Sequence, residues 1–464
     1  MRKRYSWLIF VFVLALVAAA CSSSTEDTTT TGAPEATTTT AGEVEETTST
    51  TEAPPAEMIG GRGIDLENKI ITIGLLSDLT GAFAGLTTHI TDAQRVYWDQ
   101  LNAAGGIDGW TINAVVEDTA YDVPQHLEKL EKLRDQVAMI SLSTGSPPTV
   151  ASLPILIEDQ IPTIPLSWYS GWAIPDFDHD VTLEQNTNYC LESMNLVAFA
   201  MEMGATKFAL AGFPGDYGGD AAEGVRKAVE YYGLELVYDG EAAVIPGQDQ
   251  TEVIQAIVNS GADWTILTTN PGTAAELVAG AVGAGYTGMF TGNGPTYNAA
   301  LLDSPAAPLF DSVYYQSSYN VGWGVDTPGN NLMMAAMTEA LPDARPSDAY
   351  IIGWNEGVVV HQVLAAAIAA GDLSPEGILT AMNSLEDVDF GGSQPNQSWA
   401  GTPNEYVLRS LAIFKPDLAA YTAAGGADQT LSQEGGTTGS VLVKDFFISD
   451  AAADFDFTAP CWEA

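Results

Sequence analysis

The sequence predicts an α/β protein with two parallel central sheets, each built from alternating strands and helices. Residues Ile70 to Leu76 form a near-continuous apolar run, which is typical of a strand buried on both faces of a parallel sheet. Short apolar segments then alternate with helical segments, which is the pattern of βαβ units. The alternation stops at an acidic loop over 176–183 and begins again, which indicates a second sheet.

The first unit, which is the first sheet with its connecting helices, is predicted from short apolar runs that alternate with longer amphipathic or charged segments. The short runs predict strands and the longer segments predict the helices that connect them. The strands are predicted at 70–76, 111–117, 138–142 and 163–166, and the helices at 90–104, 125–136 and 149–158.

The second unit repeats this alternation, and a further group of elements follows it. Strands are predicted at 207–212, 234–239 and 264–268, and helices at 189–203, 221–232 and 251–260. Further downstream we predict helices at 332–341, 350–370 and 375–385, a β-hairpin at 399–418 and a Gly-rich loop or insertion at 425–439.

The N-terminus carries an export signal. Three basic residues at positions 2–4 precede an apolar run from Trp7 to Ala20, which is shorter than the roughly 18–20 apolar residues of a membrane span. Residues 1–20 are therefore predicted to be a signal peptide. The segment from Leu16 to Cys21 resembles a bacterial lipobox, so Cys21 is the expected lipidation site. The alternative is a cysteine inside an ordinary signal peptide.

Residues 21–57 combine this cysteine with a Thr/Glu-rich tether. The segment has no Lys, Arg or aromatic residue and no apolar periodicity, so it is predicted to be disordered. A flexible chain of this length has an end-to-end distance of roughly 30–35 Å. The tether would hold a folded domain away from a membrane while keeping it attached.

Length and charge exclude some classes of function. About 400 residues follow Met58, which is enough for roughly two to three domains. The formal net charge is −44, so nucleic acid is excluded as a partner because its phosphates would be repelled.

Besides Cys21, the chain contains Cys190 and Cys461. An exported compartment permits a disulfide between them, and two separate buried thiols are the alternative.

Four short motifs carry a resemblance to a known family. They are Ile73–Gly81, Leu101–Gly109 followed by Glu117–Thr119, Gly215–Gly218, and Ala281–Tyr286. In their order and spacing, the chain from about Lys69 to about Leu418 resembles periplasmic binding proteins of the leucine/isoleucine/valine type, which have a type I fold.

This resemblance implies an α/β fold with two Rossmann-like lobes whose parallel central sheets are joined by a three-segment hinge. It places residues 69–185 and 324–387 in lobe 1, and residues 186–323 and 388–420 in lobe 2. Residues 421–464 remain as a Gly-rich loop and C-terminal tail. It also implies a protein that passes a small solute to an ABC permease and needs no cofactor. Together with the expected lipid at Cys21, this predicts a lipoprotein on the extracytoplasmic face of the cell membrane.

The best candidate for ligand contact is the loop Ser143, Thr144, Gly145 and Ser146, which follows a predicted strand and precedes a helix. In open α/β sheets, ligands bind outside the carboxyl ends of the strands. Free backbone N–H groups and hydroxyls at a helix N-terminus can hold a carboxylate or carbonyl oxygen. An ordinary N-cap is the alternative. The resemblance places the ligand-carboxylate loop at Gly145 and Ser146.

Three further groups of residues complete the predicted site. Ser167, Trp168 and Tyr169 end the next strand, where the resemblance places a second ligand loop; packing is the alternative role of the aromatic pair. Tyr217 matches a position that faces the cleft from lobe 2, or it packs at a helix entry. Amino-acid binders of this family have an acidic residue after the strand near 288–292, where this chain has Asn293 between two glycines.

Without that acidic residue, the family name alone does not identify the ligand as an amino acid. Asn270 and Asn293 would supply neutral hydrogen bonds instead, which suits an amide, a urea-like compound, a carboxylic acid or an aromatic acid. The general expectation is a small polar solute, which is an amino acid, an amide or an organic acid. A surface sensor with the same fold is an alternative function, and so is a hydrolase.

An enzyme is not predicted, because the chain has no Gly-x-Ser-x-Gly elbow, no His-Glu-x-x-His helix and no phosphate loop. The acidic loop at Asp176, Asp178 and Asp180 lacks the glycine and the final glutamate of a calcium loop. No metal site is therefore predicted.

Overall fold

The computed structural model describes residues 57–463, so the signal peptide, Cys21 and nearly all of the tether lie outside the described residues. The first sheet contains five strands and is parallel except for its short first strand. The four parallel strands are ordered β3-β2-β4-β5. The strands are β1 Ile64–Asp65, β2 Ile70–Ser77, β3 Thr111–Asp118, β4 Met139–Thr144 and β5 Thr163–Leu166.

Helices cover this sheet, and two 4-residue helical turns follow it. They are α1 Ala84–Ala103, α2 Val123–Leu133, α3 Ser146–Asp159, a 3₁₀ turn at Ser170–Ala173 and α4 Pro175–Asp178. Asp122 begins α2 by accepting a hydrogen bond from the Gln125 amide, and proline stands in the first turn of both α2 and α3.

The second sheet has seven strands in the order β12-β11-β10-β9-β8-β6-β7, of which β11 and β12 are antiparallel to their neighbours. The strands are β6 Lys207–Gly212, β7 Glu235–Gly240, β8 Trp264–Thr268, β9 Met289–Gly292, β10 Tyr314–Ser318, β11 Leu411–Pro416 and β12 Ser440–Phe447. The helices of this part are α5 Tyr189–Glu202, α6 Asp216–Tyr232, α7 Thr251–Ser260, α8 Pro271–Gly283 and α9 Ala307–Val313, with 3₁₀ turns at Gly294–Thr296 and Ala299–Asp303.

The remaining helices lie between β10 and the C-terminus. They are α10 Pro328–Ala340, α11 Ala349–Ala370, α12 Pro375–Met382, α13 Pro403–Tyr406, α14 Leu418–Ala423 and α15 Asp450–Ala453, with a 3₁₀ turn at Gly426–Asp428.

Helix α11 returns the chain to the first sheet and packs against α1. A Cβ on Gly353 would lie 2.0 Å from the carbonyl oxygen of Ile90, so glycine permits the close approach of the two helices. Among the described residues, α11 alone is long and apolar enough to cross a membrane, but 67% of its most apolar window is buried inside the fold. Burial in the core accounts for its composition.

The two-lobed α/β fold with parallel sheets is confirmed. The chain crosses between the sheets in three segments, and these segments are hydrogen-bonded to one another. The amide of Asn186 donates to Gln397 Oε1 over 3.1 Å, and the amide of Val321 donates to the carbonyl oxygen of Ser393 over 2.9 Å. These bonds connect the three crossings side by side.

The hairpin predicted at 399–418 is wrong. The only strand in this range is β11, and helix α13 precedes it. The antiparallel partners of β11 are β10 and β12, which lie outside the predicted hairpin. Strand β12 lies within the residues expected to be loop and tail. Its Leu442 and Val441 pair with Phe414 and Lys415, so the second sheet gains an edge strand from the C-terminal region.

The C-terminal segment is also bonded covalently to α5, since Cys190 and Cys461 form a disulfide with a Cα–Cα distance of 6.3 Å. The bond closes a loop of 271 residues. Cross-linking of this kind lowers the conformational entropy of the unfolded chain. The amide of Cys461 also donates to Ser170 Oγ over 2.7 Å, so the segment contacts both parts of the fold.

Replacing Cys190 and Cys461 together by alanine is expected to lower the free energy of unfolding by about 2–4 kcal/mol. Thermal unfolding of the oxidised parent and the double variant measures this loss. Thiol titration of the native protein is the control, because two free thiols together with an unchanged melting temperature would contradict the bond.

Candidate functional site

A cavity opens between the carboxyl ends of the two sheets, and its wall is mainly aromatic and aliphatic. We call it the cleft cavity. Its lining comprises Phe83, Leu86, Thr87, Ile90, Tyr121, Thr144, Gly145, Leu166, Trp168, Tyr189, Tyr217, Gly294, Pro295 and Ile352. This set contains no Asp, Glu, Lys, Arg or His. Ligand sites of this kind are mostly apolar, with a few polar groups that orient the ligand.

The wall from the first sheet depends on a glycine at the end of β4. Gly145 has φ of 91°, and a Cβ there would lie 2.3 Å from Cε2 of Tyr121. Tyr121 itself has φ of 55°, which is uncommon for a residue other than glycine. Its ring lies 4.7 Å from the ring of Phe83, which precedes α1. The absence of a side chain at position 145 thus leaves room for the Tyr121 ring beside Thr144.

The opposite wall comes from the first turns of α5 and α6. Tyr189 and Tyr217 lie with ring centroids 4.6 Å apart, and Tyr217 is 6.2 Å from Phe83 across the cleft. The Tyr217 hydroxyl donates to the carbonyl oxygen of Thr269 over 3.1 Å. Aromatic side chains from both lobes therefore face each other across a narrow cleft.

Thr144 is the polar residue of the lining whose hydrogen-bonding capacity is plainly unused. Its side chain is 2% exposed, and Oγ1 has no hydrogen-bond partner within residues 57–463. A buried hydroxyl without a partner costs about 1–3 kcal/mol, so a ligand atom that pairs with it would be favoured. Next to it, Ser146 begins α3 and is followed by two prolines, so its amide is the one N–H group among the first three positions of this helix.

Of the ten predicted ligand contacts, Thr144, Gly145, Trp168 and Tyr217 line the cleft cavity. The other residues of the two predicted loops point elsewhere. Ser143 Oγ bonds to Thr149 Oγ1 at 2.8 Å, and Ser146 Oγ bonds to Ser167 Oγ at 2.5 Å. The Tyr169 hydroxyl donates to the carbonyl oxygen of Trp462 over 2.8 Å.

The two predicted asparagines also have partners outside the cleft cavity. Asn270 caps α8, where its Oδ1 accepts from the Thr273 amide over 2.8 Å. Asn293 is fully buried; its Oδ1 accepts from Thr268 Oγ1 over 2.6 Å, and its Nδ2 donates to Glu192 over 2.8 Å. The Asn293 amide is therefore paired through both of its polar atoms, whereas the Asn270 oxygen caps a helix.

Glu192, on α5, is a buried carboxylate behind the cleft wall that the sequence analysis did not identify. It accepts hydrogen bonds from the Gly294 amide over 2.8 Å and from the Tyr319 hydroxyl over 2.7 Å, and from Asn293 and Ser317. Burial raises its pKa to about 7. The carboxylate holds the wall in place and does not line the cleft cavity.

A second cavity lies beside the hinge and shares Leu86, Gly294 and Ile352 with the first. It is more polar, and its acidic member is Asp348, whose pKa is raised by burial. Asp348 accepts from the Trp323 amide over 2.6 Å and from Ser440 Oγ over 2.7 Å. Its carboxylate thus already has partners within the protein.

The cleft residues that the sequence analysis missed are Phe83, Leu86, Thr87, Ile90, Tyr121, Leu166, Tyr189, Gly294, Pro295 and Ile352. Phe83 lies two residues after Gly81, where the first family motif ends, so it had a local signal. The others come together only through the packing of distant helices. Within residues 57–463 no group of three or more His, Cys, Asp or Glu side chains is arranged to hold a metal ion.

Comparison with known proteins places this geometry in a family. Residues 70–452 match the family model described as periplasmic binding protein. No curated protein has a matching sequence. Among solved structures, a fatty acid ABC transporter substrate-binding protein from Thermomonospora curvata is 26% identical with a TM-score of 0.77, over 87% of this chain and 97% of that chain.

Two more distant structures share the fold. A branched chain amino acid ABC transporter protein from Thermus thermophilus with bound valine is 19% identical with a TM-score of 0.69, over 85% of this chain and 98% of that one. A solute binding protein from R. palustris in complex with 4-hydroxybenzoate is 16% identical with a TM-score of 0.65, over 82% and 97%.

The family model covers most of the chain, and the two lobes enclose a cavity at the ends of their parallel strands. Proteins of this family are exported and bind small ligands for ABC importers without transforming them. The chain belongs to the periplasmic binding protein family.

Proposed function

We propose that this protein captures a small organic acid with an apolar body and delivers it to an ABC importer. The observation that carries the proposal is the lining of the cleft cavity, which is aromatic and aliphatic and has no charged side chain. An apolar body gains from contact with this wall, because apolar surface leaves water. Lobe closure around the ligand then completes the site.

The polar part of the proposed ligand lies at Thr144 and Ser146. The Thr144 hydroxyl has no hydrogen-bond partner among the described residues, and the Ser146 amide stands at the positive end of α3. Together they offer hydrogen bonds to a carboxyl group. The likeness to a fatty acid binder and to a protein holding 4-hydroxybenzoate supports a carboxylic acid with a hydrocarbon or aromatic body.

This arrangement disfavours a free amino acid among the solutes considered from the sequence. An ammonium group would enter a cavity that has no carboxylate in its wall, and a buried charge without a partner is costly. Glu192 and Asp348, the nearby acids, already accept hydrogen bonds from protein groups. Mass spectrometry of the molecule carried through gentle purification tests this: an apolar acid supports the proposal and an amino acid contradicts it.

Thr144→Val is expected to weaken binding of that acid about 10-fold while leaving the melting temperature unchanged or higher. Valine removes a buried hydroxyl that forms no hydrogen bond within residues 57–463, so the free protein loses no such bond, whereas the ligand loses one. Calorimetric titration and thermal unfolding measure the two effects. Ser143→Ala is the matched control, because its hydroxyl bonds to Thr149 and faces away from the cavity. Equal affinities of Thr144→Val and the parent would refute the role of Thr144.

We also propose that Cys21 carries a lipid and that residues 22–57 tether the binding lobes near the permease. The lipobox-like segment and the absence of basic and aromatic residues in the tether support this. Metabolic labelling with a lipid precursor should mark the parent and not Cys21→Ser. Membrane attachment of Cys21→Ser equal to that of the parent would exclude lipidation as the anchor.

A further inference from the structure

A third and more open cavity lies at the rim, where α3, α4, the start of α6 and the C-terminal segment meet. We call it the rim cavity. It contains about 1090 Å³ of atom-free space, including its opening to solvent. It shares no lining residue with the cleft cavity. The residues that give it chemical character are three aromatics and three acids: Tyr169, Phe177, Trp462, Asp176, Asp216 and Glu463.

The charges of the rim cavity are all of one sign. Three carboxylates line it, and its lining includes no Lys, Arg or His. Asp216 is 8% exposed, and its Oδ2 has no hydrogen-bond partner among the described residues. Burial raises the pKa of Asp216 to about 6, so this carboxyl is still mainly ionised above neutral pH. Asp216 therefore places a buried negative charge in the rim cavity, with one oxygen that has no partner in the described part of the chain.

The aromatic walls are held by specific contacts from both sides. Tyr169 and Phe177 have ring centroids 5.5 Å apart. The Trp462 indole lies against Gly219, where a Cβ would come within 2.3 Å of it, and its Nε1 donates to Glu241 over 2.9 Å. The disulfide at Cys461 fixes the segment that carries this indole. Aromatic surfaces and carboxylates thus line the same open space.

We propose that the rim cavity binds an organic cation, an ammonium or guanidinium group, independently of the cleft ligand. Aromatic faces attract cations through their quadrupole, and carboxylates supply the opposite charge. A bare metal ion fits less well, because no three acidic side chains of the described chain are arranged to ligate one. The cation comes either from a small molecule or from a basic side chain of a protein partner.

Titration of the full-length protein with methylguanidinium chloride and with tetramethylammonium chloride tests the proposal by calorimetry. At least one probe is expected to bind saturably with a Kd below about 1 mM. Asp216→Asn should weaken it at least about 10-fold. Glu434→Gln is the matched control, because it removes the same charge from an exposed position outside the rim cavity and should leave the Kd unchanged.

Glu463→Gln provides a second variant if Asp216→Asn fails to fold, since Glu463 is exposed at the edge of the cavity. It should weaken binding more than Glu434→Gln does. No saturable binding of either probe, or equal effects of the cavity variants and the control, would overturn the proposal. An arginine-containing tetrapeptide distinguishes the sources: tighter binding than methylguanidinium indicates a protein side chain, and equal binding indicates a small molecule.

Discussion

Ile352→Glu is expected to weaken binding of the cleft ligand at least about 100-fold, whereas Ile352→Lys should preserve or strengthen it. Ile352 lies on α11 and lines both the cleft cavity and the more polar cavity beside the hinge, which contains Asp348. Both substitutions remove the same apolar contact and introduce a long charged side chain. They differ in the sign of the charge that faces the ligand.

The size of the effect follows from Coulomb's law. Two unit charges about 8 Å apart at an effective dielectric constant of about 20 interact by roughly 2 kcal/mol. Repulsion of a carboxylate by glutamate and attraction by lysine therefore separate the variants by about 4 kcal/mol, or nearly 1000-fold in Kd. Calorimetric titration measures both constants, and Ile352→Gln controls for the lost apolar contact.

The three variants together identify the charge of the ligand. Losses of equal size for Glu and Lys would mean a neutral ligand, and tighter binding to the Glu variant would mean a cation. Either result contradicts an organic acid. The order Lys, Gln, Glu from tightest to weakest is the one that the proposed function predicts.

The folded domain is expected to be more stable near pH 5.5 than near pH 8.5. Burial raises the pKa of several carboxyls, among them Asp178, Glu192 and Asp220 to about 7, and Glu356 to about 8. In the unfolded chain such groups titrate near 4, so between pH 4 and 8 the folded state binds more protons. Their contribution to stability is full below pH 4 and is lost as the pH rises through 7–8.

His126 opposes this trend at the acidic end. Burial lowers its pKa to about 4, so the folded state resists its protonation, and stability falls as the pH drops from about 6.5 towards 4. Burial also lowers the pKa of His89 and His361, but the buried carboxyls outweigh the histidines above pH 5.5. Thermal unfolding should show a melting temperature at least about 5 °C higher at pH 5.5 than at pH 8.5.

Glu356→Gln isolates one of these groups. Glu356 Oε2 accepts a hydrogen bond from Gln94 Nε2 over 2.8 Å, and glutamine keeps an oxygen for this bond without the charge. The variant should match the parent at pH 5.5 and be more stable at pH 9, where the parent must ionise this buried carboxyl. Glu434→Gln is the exposed control. A parent whose stability rises steadily from pH 5.5 to 8.5 would contradict the assignment of these carboxyls.

Local patterns predicted most elements of the two sheets. The strands at 207–212 and 264–268 and the helix at 251–260 have the predicted bounds, because each is a compact apolar or amphipathic segment between polar residues. Helix α8 was not predicted, since alanine and glycine fill most of it and give no clear apolar stripe. The hairpin at 399–418 failed because β11 pairs with strands distant in the sequence.

The site was predictable in position but not in detail. Both predicted loops lie at the carboxyl ends of β4 and β5, as the rule for parallel sheets requires. Successive side chains of a strand point to opposite faces, so Thr144 at the end of β4 reaches the cleft cavity while Ser143 turns away. Beyond the end of β5, Trp168 lines the cavity and the Tyr169 hydroxyl bonds to Trp462. The apolar character of the wall depends on helices α1, α5 and α11, whose approach no local pattern specifies.

A calorimetric titration of the ligand-free protein with two matched panels tests the central claim most directly. One panel contains apolar carboxylic acids such as octanoate, decanoate and 4-hydroxybenzoate, and the other contains leucine, isoleucine and valine. We predict saturable binding of at least one apolar acid, with a Kd on the order of 1 μM, and none of the amino acids at the same concentrations. Saturable binding of an amino acid, with none of the apolar acids bound, would contradict the account.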